Sequence, residues 1–163
     1  MEFHVGDSVM HWTYGLGQVV GLEERALMGK KVLYYAVKVR DLTVWVPADE
    51  NLEIRLRPPT PPAGFKPLFA ILAGPGEPLP ADRQERKLRL VELLKDGRAE
   101  SLCRVIRDLS AYQRERSLND HDQQLMKRTR DSLLGEWGYA LSILPIQAES
   151  ELRRLLGTAA AGD

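Results

Sequence analysis

The step Gly15-Leu16-Gly17 and the three histidines, His4, His11 and His121, are where this chain could carry chemistry. A phosphate-cradling loop needs Gly-x-Gly-x-x-Gly leaving a strand and entering a helix, so that the helix N-terminus meets the anion. Here Gly17 runs into Gln18-Val19-Val20, the start of another strand, and Gly21 falls one place late. The glycines are therefore predicted to turn a hairpin. None of the histidines stands at metal-ligand spacing with a cysteine, a carboxylate or a second histidine on a shared face. His4 and His11 are an odd number of positions apart about the first strand and point to opposite faces. His121 falls in a helix-capping turn. The one cysteine, Cys103, lies among Leu102, Val105 and Ile106 and reads as a small buried hydrophobe; alone it makes no intrachain disulfide. There is no Gly-x-Ser-x-Gly, Walker loop or Cys/His nucleophile arrangement. Carboxylates alternate with bases along helices, as at Glu85-Arg86, in the way of solvated faces. The expectation is a protein with no catalysis, no cofactor, no metal and no small-molecule substrate.

The elements that carry these residues change character near residue 57. Before it, apolar residues alternate with a period of two; after it, they recur at helical spacing. "DSVMHW", "GQVVGLEER", "VLYYAVKVR", "LTVWVPA" and "LEIRL" read as five short strands, with turns at Tyr14-Gly15, Met28-Gly29 and Arg40-Asp41. That number suits a small SH3-like or Tudor-like barrel over 1–57. "RPPTPPAG" is the composition break, and its prolines predict a stiff linker over 58–64. A compact all-α bundle of about five helices follows over 65–157, giving an α+β chain.

The first of these helices centres on "KPLFAILA". The second runs from Pro80 to Lys95 after the loop "GPGEPLP", with Leu88, Leu90, Val91, Leu93 and Leu94 anchoring its later turns. The third spans Arg98–Arg116 with Leu102, Val105, Ile106, Leu109 and Tyr112 on one face. The fourth is capped by Asn119 or Asp120 and turns Leu125, Met126, Leu133, Trp137, Ala140, Leu141 and Leu144 inward until Pro145 ends it. "IQAESELRRLL" supplies a last short helix, and 158–163 reads as a weakly structured tail.

The chain has 163 residues, with 23 Lys and Arg against 23 Asp and Glu. Bulk charge does not advertise a nucleic-acid binder, although a local basic patch is compatible with it. No signal segment is visible, and no apolar run approaches the roughly 18 residues that span a bilayer. A cytoplasmic protein with no membrane partner is expected.

"FHVGDSVMHWTYGLGQVVGLEER" and "YYAVKVRDLTVWVPADENLE" resemble the N-terminal domain of CarD-like bacterial transcription regulators. "VIRDLSAYQRERSLNDHDQQLMKRTRDSLLGE" resembles the helical half of the same family, particularly at Arg107-Asp108-Leu109 and Glu115-Arg116. The resemblance covers nearly the whole chain. It implies a Tudor-like domain docking on the lobe of the RNA polymerase β subunit. It also implies a helical domain contacting promoter DNA at the upstream edge of the transcription bubble, where family members stabilise the open complex.

Carried over residue by residue, Arg25 matches a position that contacts the polymerase. Trp45, between Val44 and Val46, stands where the family often has a polymerase-facing arginine. Alternation places Trp45 opposite to the two valines, so it is exposed if they point inward. All four residues are assigned to the polymerase-binding site. In the second helix the family carries a tryptophan that wedges at the minor groove. Its equivalent here is Arg83, and no aromatic lies between Phe69 and Tyr112. What remains is the polar stretch "ADRQERK", whose Arg83, Arg86 and Lys87 are expected to cluster and, with free backbone amides of the helix start, to meet phosphates. The alternative is an adaptor whose helical domain binds a protein instead of DNA.

Overall fold

In this computed structural model the alternating third of the chain forms one antiparallel sheet, and the helical remainder forms a bundle. The structure describes residues 2–161. It divides into two units, Met1–Pro59 and Thr60–Asp163, each with its own hydrophobic core.

The sheet comprises β1 (Ser8–His11), β2 (Gly15–Leu27), β3 (Lys30–Val39), β4 (Leu42–Pro47) and β5 (Leu56–Arg57) in the order β4-β3-β2-β1-β5. Alternation sends Val9, Val19, Tyr35, Val37, Val39 and Val46 to one face, where they are buried with Phe3, Leu52 and Leu56. The Phe3 ring meets Tyr35 edge-on at 5.7 Å. The sheet is open, with β4 and β5 at its two ends, so the expected barrel is an open sheet. The expected fifth strand is also different. "LEIRL" begins as a helical turn, α1 (Leu52–Arg55), and only Leu56–Arg57 pair with β1. Leu52 and Leu56 are buried while Ile54 between them is exposed; a strand would put all three on one face, whereas a helical turn brings only the residues four apart together.

The glycine step does what a hairpin needs. Gly15 takes φ +83° in the turn. Gly17 packs so closely on β3 that an added Cβ would lie 2.8 Å from the Lys38 carbonyl oxygen and 2.7 Å from Val39 Cγ2.

The helical unit opens with a 3-10 turn, Pro62–Gly64, and continues through α2 (Phe65–Ala73), α3 (Arg83–Leu94), α4 (Ala99–Glu115), α5 (Asp120–Leu141) and α6 (Pro145–Ala161). Its core joins Phe65, Leu68, Leu72, Ile106, Leu109, Leu133, Trp137 and Leu152, with Cys103 fully buried among them. Phe69 lies 4.8 Å from the Trp137 ring. Each large apolar side chain so buried is worth about 1.5–3 kcal/mol.

Three boundaries differ from the sequence reading. Helix α3 begins at Arg83 rather than Pro80, because Asp82 accepts from the Glu85 amide and caps it. Helix α5 ends at Leu141, with Ser142 in the left-handed region at φ 54°, so Leu144 is exposed rather than inward. Pro145 then opens α6 at its first position, a place that suits its missing N–H, and α6 runs on to Ala161. No helix among the described residues is long and apolar enough to cross a membrane.

Candidate functional site

Two surfaces carry the residues that the sequence singles out, one in each unit. In the sheet unit, β3 pairs Arg25 with Val32, Glu23 with Tyr34, Tyr34 with Pro47 and Ala36 with Trp45. Residues on one side of this register share the face opposite to the core. There the Arg25 guanidinium lies 4.4 Å over the Trp45 ring and 5.9 Å from the Tyr34 ring centroid. Its Nε stands 3.4 Å from the Glu23 carboxylate. Trp45 is 38 % exposed, so the stacked pair remains open to a partner. A cation held over an aromatic face gains about 0.5–1 kcal/mol at an exposed site. It also loses side-chain freedom before any partner arrives, which lowers the cost of docking.

Val44 and Val46 do not share that face. Val46 is buried and Val44 packs against the same core, so their side chains are not available to a partner. The strand offers its backbone instead. β4 pairs with β3 on one side and is the last strand of the sheet, which leaves a row of main-chain donors and acceptors along Leu42–Pro47.

The β1–β2 turn is held by a side chain. His11 Nδ1 accepts from the Thr13 and Tyr14 amides at 3.1 and 3.2 Å. Burial lowers the imidazole pKa from 6.5 to about 4, as desolvation of the charged form requires. Trp12 and Tyr14 flank the ring and are themselves exposed. His4 is exposed and lies by Asp7, and His121 is exposed in the first turn of α5. Among the described residues no group of His, Cys, Asp or Glu is arranged to hold a metal ion.

In the helical unit, Arg83 and Lys87 are exposed on α3, but Arg86 is not with them. It is 3 % exposed. Its Nε donates to Asp122 Oδ2 of α5 at 2.9 Å, and Nη2 stands 2.9 Å from the same oxygen as an ion pair. Its Nη1 lies within hydrogen-bonding reach of the Pro80 and Ala81 carbonyls and the Tyr112 hydroxyl of α4, at 3.1–3.2 Å. The expected trio of cations is thus a pair plus a buried anchor. The reason is helical geometry: Arg86 shares the inward side of α3 with Leu90, which is fully buried. The helix start is not a free cradle of amides either, since Asp82 already occupies the Glu85 N–H and adds a negative charge there.

The later turns of α3 also differ from expectation. Leu88 and Val91 are 68 % and 54 % exposed and anchor nothing. The loop before α3 is fixed to α4 by the Glu77 amide, which donates to Asp108 Oδ1 at 2.9 Å. Gly76 lies against α4, where an added Cβ would come within 2.5 Å of Ala111 Cβ. Asp108 is buried and paired with Arg107, so the Arg107-Asp108-Leu109 stretch serves structure. The Asp122 partnership was missed in the sequence because it joins residues 36 positions apart. A buried arginine three residues after an exposed one leaves no local signal.

Comparisons with known proteins agree across both units. The family model described as the CarD-like/TRCF RID domain matches residues 3–58. The model described as the CarD C-terminal domain matches residues 67–153. A protein of Bacillus subtilis (strain 168), named "Putative transcription factor YdeB", is 25 % identical over 137 residues, covering 82 % of this chain and 89 % of that protein.

Proposed function

The chain belongs to the CarD-like family of transcription regulators, and from that premise we propose that it docks on the lobe of the RNA polymerase β subunit through its sheet unit. In this reading the helical unit contacts promoter DNA at the upstream edge of the transcription bubble and modulates the stability of the open complex. The observation that carries the first half is the Arg25–Trp45 stack beside an open β4 edge. An exposed tryptophan and an arginine are the residue types that dominate binding energy at protein interfaces. A strand with a free edge adds main-chain hydrogen bonds.

The second half is supported by Arg83 and Lys87, exposed on α3 without an ion-pair partner among the described residues. Such cations fit phosphate contacts, which position a protein on DNA without reading sequence. Arg83 stands where the family's wedging tryptophan would be, so the DNA contact holds the duplex by charge and does not unstack a base step.

The test is calorimetric titration of the full chain with the isolated β-subunit lobe of a bacterial RNA polymerase. Trp45→Ala is expected to weaken binding about tenfold or more, as loss of an interface anchor does. Saturable binding that ignores both Trp45→Ala and Arg25→Ala would remove this face from the interface. No binding at all would separate this chain from the polymerase.

A further inference from the structure

We infer that Arg86 is the positioning residue of the DNA-contacting helix. It sets the direction in which α3 presents Arg83 and Lys87, although it is itself withdrawn from solvent. The inference rests on the reading that the helical unit meets promoter DNA, and adds how the unit holds its contact residues in place.

The guanidinium is planar and carries five N–H donors in a fixed fork. Here every one of its nitrogens is engaged. Nε donates to Asp122 Oδ2 at the start of α5, Nη2 is ion-paired with that same oxygen, and Nη1 reaches Pro80, Ala81 and Tyr112. The Tyr112 ring also lies 4.9 Å from the guanidinium carbon. One side chain therefore fixes α3 to the loop that precedes it, to α4 and to α5. Asp122 is held from its own side as well, since its amide donates to the Asn119 cap at 2.8 Å.

Apolar packing does not do this work at the helix start. In the first two turns of α3 Arg86 is the only buried residue, and the next one inward is Leu90. Arg83, Gln84, Glu85 and Lys87 are exposed around it. Without Arg86 the start of α3 would be left with its Asp82 cap, the exposed Arg89–Glu77 ion pair and, through the preceding loop, the Glu77–Asp108 contact, Gly76 against α4 and the partly buried Leu79. Arg83, three residues before the anchor, and Lys87, the residue after it, would then lose a common orientation. A lysine cannot substitute. Its ammonium can pair with Asp122 but has no fork with which to hold two carbonyls and a hydroxyl at once.

The experiment compares the full wild-type chain with Arg86→Lys, using a short labelled A·T-rich duplex and amide hydrogen exchange. In Arg86→Lys, exchange is expected to speed up over residues 79–88 while α4–α6 keep their protection. DNA affinity is expected to fall at least as far as in Arg83→Ala, several-fold. Adding Arg83→Ala to Arg86→Lys should then cost little more, because the residue has already lost its orientation. A merely structural role would instead raise exchange throughout the helical unit and leave the two substitutions additive on DNA binding; that result overturns the inference. So would unchanged affinity in Arg86→Lys with residues 79–88 loosened. Failure of the wild-type chain to bind DNA at any low salt concentration is a different result. It defeats the reading of the helical unit itself, whatever the exchange of residues 79–88 shows.

Discussion

At the scale of single residues, the chain places its most constrained positions where the sequence shows only ordinary letters. Gly17 is one of them. A methyl group there would meet the Lys38 carbonyl oxygen at 2.8 Å, and a backbone atom of a paired strand cannot step aside. Gly17→Ala should destabilise the sheet unit by about 1–3 kcal/mol, the usual cost of overpacking, as read by urea unfolding. Asp122 is another. It is 2 % exposed, accepts from Nε of the buried Arg86 and is ion-paired with its Nη2. Removing one partner of such a pair leaves an uncompensated buried charge, so Asp122→Ala should cost the helical unit about 3–5 kcal/mol. Replacing the pair together, as Arg86→Met with Asp122→Leu, should recover much of that loss in the same unfolding experiment. A double replacement as unstable as the single one would mean that the hydrogen bonds to Pro80, Ala81 and Tyr112 carry the energy instead. Neither constraint was legible: Gly17 looked like a turn glycine, Asp122 like an acidic residue of a helix's first turn, and its partner Arg86 like an exposed member of a phosphate-meeting cluster.

Elements were legible where period and length agreed, and illegible where tertiary contacts chose between alternatives. The switch from strands to helices near residue 57 and the long helices α4 and α5 follow from periodicity alone. "LEIRL" does not, because its alternation of apolar and charged residues reads as a strand, and only the core decides that Leu52 and Leu56 go in while Ile54 stays out. The candidate site divides in the same way. Alternation in β4 correctly separates Trp45 from Val46, since a period of two leaves no freedom. The inward side of α3 depends on a partner in α5, which no local pattern reveals. That assignment can be checked: Leu88→Gln should leave stability within about 0.5 kcal/mol, whereas Leu90→Ala should cost about 2–5 kcal/mol. Equal effects would mean that α3 is rotated. The β1–β2 turn makes a prediction in pH. The His11 pKa is about 4 when folded, below its usual 6.5, so on acidification the unfolded chain takes up the proton first. The stability of the sheet unit is therefore full above pH 6.5, falls as pH drops toward 4 and levels below it. In His11→Asn the slope within that window should vanish from denaturation curves measured at successive pH values.

For the molecule as a whole, the two cores share no residue, and each unit has its own optical probe. Trp137 is 1 % exposed inside the helical core, while Trp12 and Trp45 lie on the sheet unit's surface. With Trp12→Phe and Trp45→Phe in place, Trp137 emission should track unfolding of the helical unit only. It should respond to Asp122→Ala and be indifferent to Gly17→Ala; a response to both would mean that the units unfold as one. On the proposed reading this division matters to function. A sheet unit bound to the polymerase holds the helical unit near the promoter at a high effective concentration, so a DNA contact without a wedge can be weak by itself and still occupied. The open edge of β4 has another consequence, in the life of the protein inside a cell. Leu42–Pro47 reads Leu-Thr-Val-Trp-Val-Pro, uncharged and rich in strand-forming residues, and segments of that kind stack on copies of themselves when left bare. The gatekeepers of this run, Arg40-Asp41 before it and Pro47 at its end, flank it without interrupting it. A chain made in excess of its polymerase would thus carry an unsheathed adhesive strip, and the ratio at which the two are synthesised becomes part of keeping this protein soluble.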